Sequence, residues 1–492
     1  MPRSTRPLRR LAASASVLAL AGCAAVGPNF KAPAGPTGRA ASTYAMRGDA
    51  PASDVRLTAD IRAGGPWWQA FGSAELDRVE RQALADSPTI AEANATLERA
   101  QQQAAAVHGD QLPQVDLNSS VQRERINLQA FGFSGFPGIA LSNPTLNLYS
   151  VGGAVGYDLD LFGGKRRASE AASARAEVAA RQADAAYLML SGNVAMQAMQ
   201  VASLRAQLDA DQQVAAGDRR VIDMIRAAQK AGSEAPSAIS GGEAQLAEDE
   251  ALLPPLERQL DAARHQLALL VGKAPAEWVA PNFDLAEFTA PAEAPVTLPS
   301  TLVRQRPDIL VAQAELHAAT ADVGVAVANQ YPDIRLSANL TQSAIKPQDL
   351  FNYNASGWQV LAGLTAPIFH GGTLKADRKA AEAELRAALS RYQATVLRAF
   401  VQVSDVLGGL GTDQELIARL TAAQDAAAAS ARDAQNAYRL GGGTLLQVID
   451  AQRQLNRARR ATVQAQGQRL ADFVQLYTAT AADWRTTQTA AR

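Results

Sequence analysis

The chain lays out one plan twice, about 209 residues apart, and that repetition limits its folds more than any other feature. Each copy carries two segments of period-two alternation. In the first copy, Val115, Leu117 and Val121 alternate with Asp116, Asn118, Ser120 and Gln122. Tyr149, Val151, Val155, Tyr157, Leu159 and Leu161 alternate with Ser150, Gly152, Ala154, Gly156, Asp158 and Asp160. In the second copy, Ile334, Leu336, Ala338 and Leu340 face away from Arg335, Ser337, Asn339 and Thr341, and Trp358, Val360, Leu364 and Ile368 share a face. A period of two is that of a strand with one apolar face. Each second strand leads through glycines (Phe162-Gly163-Gly164; Phe369-His370-Gly371-Gly372) into a long helical stretch. The first stretch runs from residue 165 to about 231. At ~1.5 Å per residue it reaches on the order of 100 Å, longer than a globular core uses. Both stretches stop at a break, residues 232–236 and Gly441-Gly442-Gly443, and turn into a return helix. Aligning Gly232 with Gly441 also sets Gln245-Leu246 on Gln454-Leu455, which marks an internal duplication.

The remaining segments fill in the plan. Ser73 is a good N-cap for a helix to about 108, with Glu75 and Asp77 in its first turn and a bend at Pro88. The first return helix runs to 272, and Pro254-Pro255 should kink it. A helix over 300–329 ends at Tyr331-Pro332, and the last return helix runs from 445 to about 477. The second long helix carries a heptad seam, Leu389, Val396, Val403, Leu410 and Ile417, flanked by Leu385, Tyr392, Ala399 and Val406. Such a seam packs as a coiled coil against a neighbour. The expected divisions are a signal peptide over 1–22, an extended N-terminal segment over 23–72, and a first repeat over 73–273 with strands about 114–127 and 148–162. A Pro-rich connection follows over 274–299. The second repeat covers 300–480 with strands about 333–343 and 357–369, and a tail covers 481–492. The fold class is an α+β membrane protein of long helices and four strands per chain, internally duplicated.

The N-terminus sets the compartment. Arg3, Arg6, Arg9 and Arg10 precede a short apolar run, and Leu20-Ala21-Gly22 lead to Cys23, the one cysteine in 492 residues. A run this short is a secretory leader rather than a span, which needs roughly 20 apolar residues. The pattern resembles a bacterial lipobox, which implies S-diacylglycerol and N-palmitoyl groups on Cys23. An ordinary signal peptide with an incidental cysteine is the alternative. No Asp follows at Ala24, which favours the outer over the inner membrane. After Leu20 no stretch is apolar enough for a helical span, so any crossing is made by a closed set of strands. The long loop over 128–147 and the aromatics Tyr149, Tyr157 and Phe162 fit a transmembrane hairpin, although a soluble hairpin on a core shares its alternation.

The chemistry of enzymes is missing. His108, His265, His317 and His370 are scattered without HExxH spacing, and Gly441-Gly442-Gly443 lacks the Lys-Ser/Thr of a phosphate loop. Neither a cofactor nor a metal is expected beyond the lipid. The formal charge of −1 includes the leader arginines, and no basic domain emerges, so nucleic acid is not a partner.

Several motifs in order carry a resemblance: Val26-Gly27-Pro28-Asn29-Phe30, Trp67-Trp68, Leu298-Pro299-Ser300, Arg306-Pro307-Asp308-Ile309, Gly324, Tyr331-Pro332, Tyr438-Arg439-Leu440-Gly441 and Asp450-Ala451-Gln452. They are similar to the outer-membrane factor family, in its lipoprotein branch of multidrug efflux channels, over nearly the whole mature chain. The resemblance implies a homotrimer, four strands from each chain in one shared barrel, and helices in an α-barrel across the periplasm. It also implies a periplasmic adaptor (membrane fusion protein) and an inner-membrane pump as partners, with outer-membrane lipid around the strands. Four strands cannot close a barrel, and open edges in lipid are costly, so oligomerisation follows from physics as well.

Leu446, Asp450 and Arg453 fall at i, i+4 and i+7 on one helix face. That spacing alone equally suits a solvated pair on a helix surface. The resemblance implies a periplasmic gate there, an apolar ring from Leu446 and a charged ring from Asp450, with Arg453 pairing to a neighbouring protomer's Asp450. Gln447 and Gly443 depart from family members that carry Asp and Arg, which thins the charge. The two turns, with Gly232 and Ser233 and with Leu440, Gly441, Gly442, Gly443 and Thr444, are the expected adaptor contacts. Asp116, Asp158, Asp160 and Arg335 are the expected polar pore lining. The implied function is passive conduction of drugs or other small molecules to the cell exterior. A type I secretion channel for proteins or peptides and a lipid-anchored coiled-coil scaffold without a pore are the competing readings.

Overall fold

The alternating segments pair into one antiparallel sheet in the computed structural model of the chain. The structure describes residues 25–46, 56–58, 66–128, 143–291, 293–295 and 299–481. The leader, Cys23, most of the 128–147 loop and the tail from 482 lie outside the described residues. Strands in chain order are β1 (Arg56–Thr58), β2 (Gln114–Arg125), β3 (Thr145–Leu159), β4 (Glu293–Pro295), β5 (Asp333–Ala344) and β6 (Ser356–Thr365). Helices are α1 (Ala74–Asp86), α2 (Pro88–Gly109), α3 (Gly164–Lys230), α4 (Pro236–Glu250), α5 (Leu253–Leu270), α6 (Pro299–Gln305), α7 (Pro307–Ala328), α8 (Thr373–Arg439) and α9 (Leu445–Thr480). The duplication is exact enough to give α3 and α8 the same 67-residue length.

Two compact units share these elements. The first holds the N-terminal arm up to Ala32, Glu98–Val178 and Gln313–Arg391. Its sheet has the order β2-β3-β5-β6. The register places Val115, Val155, Ala338 and Val360 in one row, and Leu117, Gly153, Leu340 and Trp358 in the next. The intervening row is Asp116, Ala154, Asn339 and Gln359. One face therefore carries the large apolar side chains, interrupted by the row Ser119, Val151, Gln342 and Ser356, and the other is mostly polar or small. The apolar face is uncovered, with Leu117 81% and Trp358 79% exposed. Three strands stop short of their expected ends, β2 by two residues at Arg125. Pro367 cannot donate to a ladder beyond β6, and Phe162 stacks on Tyr331 at 4.6 Å instead of extending β3.

The second unit holds Pro33–Leu97, Ala179–Ala312 and the chain from Tyr392 onward. Trp67, Trp68 and Phe71 are fully buried in its core with Leu76, Val79, Val194, Leu302, Ile309, Leu410 and Phe473. Trp67 stacks on Tyr477 at 5.4 Å and donates from Nε1 to Ser191 Oγ at 3.2 Å. Burial of these aromatics together with the surrounding Val, Leu and Ala side chains holds the unit together. The heptad seam is buried where expected at Tyr392, Ala399, Val403, Val406 and Leu410, while Leu389 in the first unit is exposed.

Prolines divide the helices more sharply than a bend or kink. Ser87 is extended ahead of Pro88, so α1 and α2 are separate helices. The break before Pro254-Pro255 comes at Ala251 and Leu252, which leaves both prolines in the first turn of α5, where a missing N–H costs nothing. The helix expected over 300–329 splits at Arg306. That residue holds both carboxyl oxygens of Asp308, at 2.9 and 2.7 Å, and donates to the Ala479 carbonyl at 2.8 Å. The Arg306-Pro307-Asp308 motif thus ties the start of α7 to the end of α9. β1 and β4 form a parallel pair that alternation does not announce.

Candidate functional site

Both turns at the ends of the long helices are built alike. Gly232 and Gly441 take the left-handed conformation (φ 77° and 75°), which glycine adopts without strain. After the first, Gly232 N donates to Gln229 O at 2.9 Å and Ser233 N to Ala228 O at 3.0 Å. After the second, Gly441 N donates to Tyr438 O at 3.1 Å and Gly442 N to Ala437 O at 2.9 Å. This double bond pattern is a Schellman motif, and it closes the carbonyl end of each helix. Gly232, Ser233, Leu440, Gly441, Gly442 and Thr444 are exposed, and Gly443 is half-buried against Ala437. Tyr438 Oη donates to Glu234 Oε1 at 3.1 Å, joining the second turn to the first.

Thr444 then starts α9 with a capping box. Its Oγ1 accepts from Gln447 N at 3.3 Å, and Gln447 Oε1 accepts from Thr444 N at 2.8 Å. Gln447 therefore secures the helix start, a role the sequence comparison with Asp-bearing members did not suggest. Beyond it Leu446 is 65% exposed, and Asp450 and Arg453 are exposed on the same face. The opposite face buries Val448, Ala451, Gln452, Leu455 and Asn456. Within the chain Arg453 does not turn to Asp450. Its Nε donates to Gln245 Oε1 of α4 at 2.8 Å.

The polar face of the sheet brings Asp116, Asp158 and Arg335 to one side. Lys165 Nζ lies 2.7 Å from Asp158 Oδ2, and Arg335 Nε lies 3.6 Å from Asp158 Oδ1. Asp160 is corrected: it lies past β3, and its two carboxyl oxygens accept from Lys165 N and Arg166 N at 3.0 and 2.9 Å. It caps α3 at the positive helix end and does not line the sheet.

The motif at residues 26–30 forms a clamp that the sequence left without a mechanism. Arg167, buried on α3, donates to Val26 O at 3.1 Å, to Asn29 Oδ1 at 2.6 Å and to Glu170 Oε2 at 2.7 Å. His317 stacks on Phe30 at 4.4 Å and donates to Glu170 Oε1 at 3.0 Å. Among the described residues no group of three His, Cys, Asp or Glu side chains could hold a metal ion. Among the same residues no helix is long and apolar enough to cross a membrane.

A profile described as outer membrane efflux protein matches residues 79–273 and again 298–482. The chain belongs to the outer membrane efflux protein family. It is 31% identical over 448 residues, 90% of each chain, to the pyoverdine export outer membrane protein OpmQ of Pseudomonas aeruginosa. It is 24% identical over 477 residues, 96% of this chain and 99% of the relative, to the probable outer membrane lipoprotein SilC of Salmonella typhimurium. Among solved structures, the outer-membrane channel OprN matches with a TM-score of 0.83 and 26% identity, over 94% of this chain and 99% of that one. As an outer membrane efflux protein the chain is a passive channel of the outer membrane and not an enzyme. Its four strands and long helices have the fold of such channels.

Proposed function

We propose that three copies of this outer membrane efflux protein close their sheets into one barrel and pass drugs or other small molecules outward. The observation that carries this is the sheet itself: β2 and β6 are its two outer strands, and the face with Val115, Leu117, Leu340, Trp358 and Val360 leaves these large apolar side chains bare. A neighbouring copy on each edge satisfies the strand hydrogen bonds, and lipid covers the apolar face. The relative named for pyoverdine export supports a small-molecule cargo over the type I secretion of proteins or peptides. An inner-membrane pump supplies the energy, and a periplasmic adaptor meets the two exposed glycine turns. Cys23 carries S-diacylglycerol and N-palmitoyl groups, and the name of SilC supports this anchor. Labelling with a palmitate analogue should mark the wild type and leave Cys23→Ser unmarked; equal labelling overturns the anchor.

The gate lies at Leu446, Asp450 and Arg453. Three exposed Leu446 side chains narrow the path, and three Asp450 carboxylates place like charges around it. In the trimer Arg453 exchanges its bond to Gln245 for, or shares it with, a neighbour's Asp450. Asp450→Ala with Arg453→Ala should raise single-channel conductance in a planar bilayer several-fold. Unchanged conductance places the constriction elsewhere.

A further inference from the structure

Three aspartates are buried where α3, α4 and α9 pack together: Asp211 and Asp218 on α3 and Asp249 on α4, each less than a tenth exposed. Buried carboxylates need partners, and one guanidinium serves this group. Arg460 of α9 bonds from Nε to Asp211 and from Nη2 to Asp249 Oδ1 at 2.9 Å. Asp249 Oδ2 accepts from Gln245 Nε2 at 2.7 Å, and Gln245 Oε1 accepts in turn from Arg453 Nε at 2.8 Å. A chain of contacts thus runs from Asp211 through Arg460, Asp249 and Gln245 to Arg453.

Asp218 has no cation bonded to it. Its Oδ2 is buried without a hydrogen-bond partner, and its carboxyl group faces that of Asp249. The charged groups around it are Asp249 from α4 and Arg460 and Arg453 from α9, with Asp211 further along α3. Glu248 and Arg457 line the same groove with Asp249, Arg453 and Arg460. On α9, Gln452 donates to Asn456 at 3.1 Å and supplies no charge. If all three aspartates were ionised, three negative charges would face one half-buried guanidinium. Two adjacent carboxylates relieve this by holding one proton between them.

We propose that Asp218 is a positioning residue for the gate: as a neutral acid it bonds Asp249, holding α4 on α3 and so presenting Gln245 to Arg453. The inference rests on the gate reading of Leu446, Asp450 and Arg453. Loss of the proton to solvent sets two carboxylates against each other, and α4 loosens from α3.

Burial, reinforced by Asp249, pushes the Asp218 carboxyl up to about 7. Burial opposes ionisation of Asp249 as well, but its bonds from Arg460 and Gln245 outweigh it and hold that carboxyl low. The sign follows from a folded value above the unfolded one. The closed arrangement binds the extra proton, so it is firmest in acid, weakens as pH rises towards 7, and levels off above. Linkage between 3.8 and about 7 makes the loosened fraction rise about ten-fold from pH 6 to pH 8, nearly all of it below pH 7.5.

The test uses the full-length protein in detergent. Trypsin cleavage after Lys230, at the end of α3, is timed at pH 6 and pH 8 for wild type and Asp218→Asn, so that trypsin's own pH dependence cancels in the ratio. The amide keeps the hydrogen bond without titrating. The wild-type to variant ratio should rise about ten-fold between the two pH values. A ratio that does not change overturns the inference, because a merely structural role would shift both pH values alike. Should Asp218→Asn fail to fold, Asp249→Asn makes the same prediction in direction with a smaller change, since its amide offers Asp218 an N–H donor in place of a like charge while the burial remains. Single-channel conductance should rise over the same range in wild type and stay at its acid level in Asp218→Asn. If Asp450→Ala with Arg453→Ala leaves conductance unchanged while the cleavage ratio rises, the gate reading fails and the pairing of Asp218 with Asp249 stands.

Discussion

Glu80 carries the sharpest test at the scale of a single residue. It is fully buried, and no cation or side-chain donor meets either carboxyl oxygen. Burial first, and the nearby Asp77 charge second, push its carboxyl well above the usual range. Asp77 stays ionised: its bonds from Arg81, Gln69 and Trp68 outweigh its own burial. The folded value of Glu80 exceeds the unfolded one, so the neutral acid is tolerated at low pH and stability falls as pH rises above about 4.5. Glu80→Gln removes that dependence. Its melting temperature, followed by circular dichroism, should match wild type near pH 5 and exceed it at pH 8, by on the order of 1–3 kcal/mol of stability. A wild type that loses no more stability than the variant between those pH values contradicts the account. None of this was legible in the sequence, where Glu80 reads as one more acid in a helix. Its burial comes from α1 turning that face into a core built by residues more than a hundred positions away.

Among elements, helix ends were legible where glycine decides them and ambiguous where proline does. Gly232 and Gly441 stop α3 and α8 because only the left-handed turn closes their carbonyls, and the sequence shows both residues directly. Pro88, Pro254, Pro255 and Pro307 start helices here, and a proline that starts a helix looks in sequence like one that bends it. The strands were readable from their period, but not their last residues, since Asp160 continues the alternation while capping α3. The N-terminal arm is an element in the same sense, with no helix or strand of its own near Phe30. Arg167 holds it through Val26 and Asn29, and His317 through its stack on Phe30. Arg167→Ala should free the arm and speed chymotrypsin cleavage after Phe30 at least ten-fold while leaving the helical dichroism intact. An unchanged rate means the clamp does not restrain the arm.

For the whole molecule, duplication was the feature most open to reading, because two equal helices and two glycine turns repeat at one spacing. What escaped was contact between distant segments: Arg460 with Asp211, Arg306 with Ala479, and β1 with β4, each about 170 residues apart or more. No periodicity encodes such pairs; packing brings them together. The candidate gate was legible only through likeness to a family, since Leu446, Asp450 and Arg453 form an ordinary helix face. The open sheet makes the strongest demand on the molecule as a whole. Two unpaired edges and a bare apolar face have no stable single-chain solution in a membrane. The most direct test is the mobility of the protein from outer-membrane fractions in SDS gels, with and without boiling. A shared barrel should run unboiled as a three-chain complex and collapse to the single chain on boiling. A chain that runs as a monomer under both conditions, with the fraction shown to contain intact protein, would contradict the shared barrel.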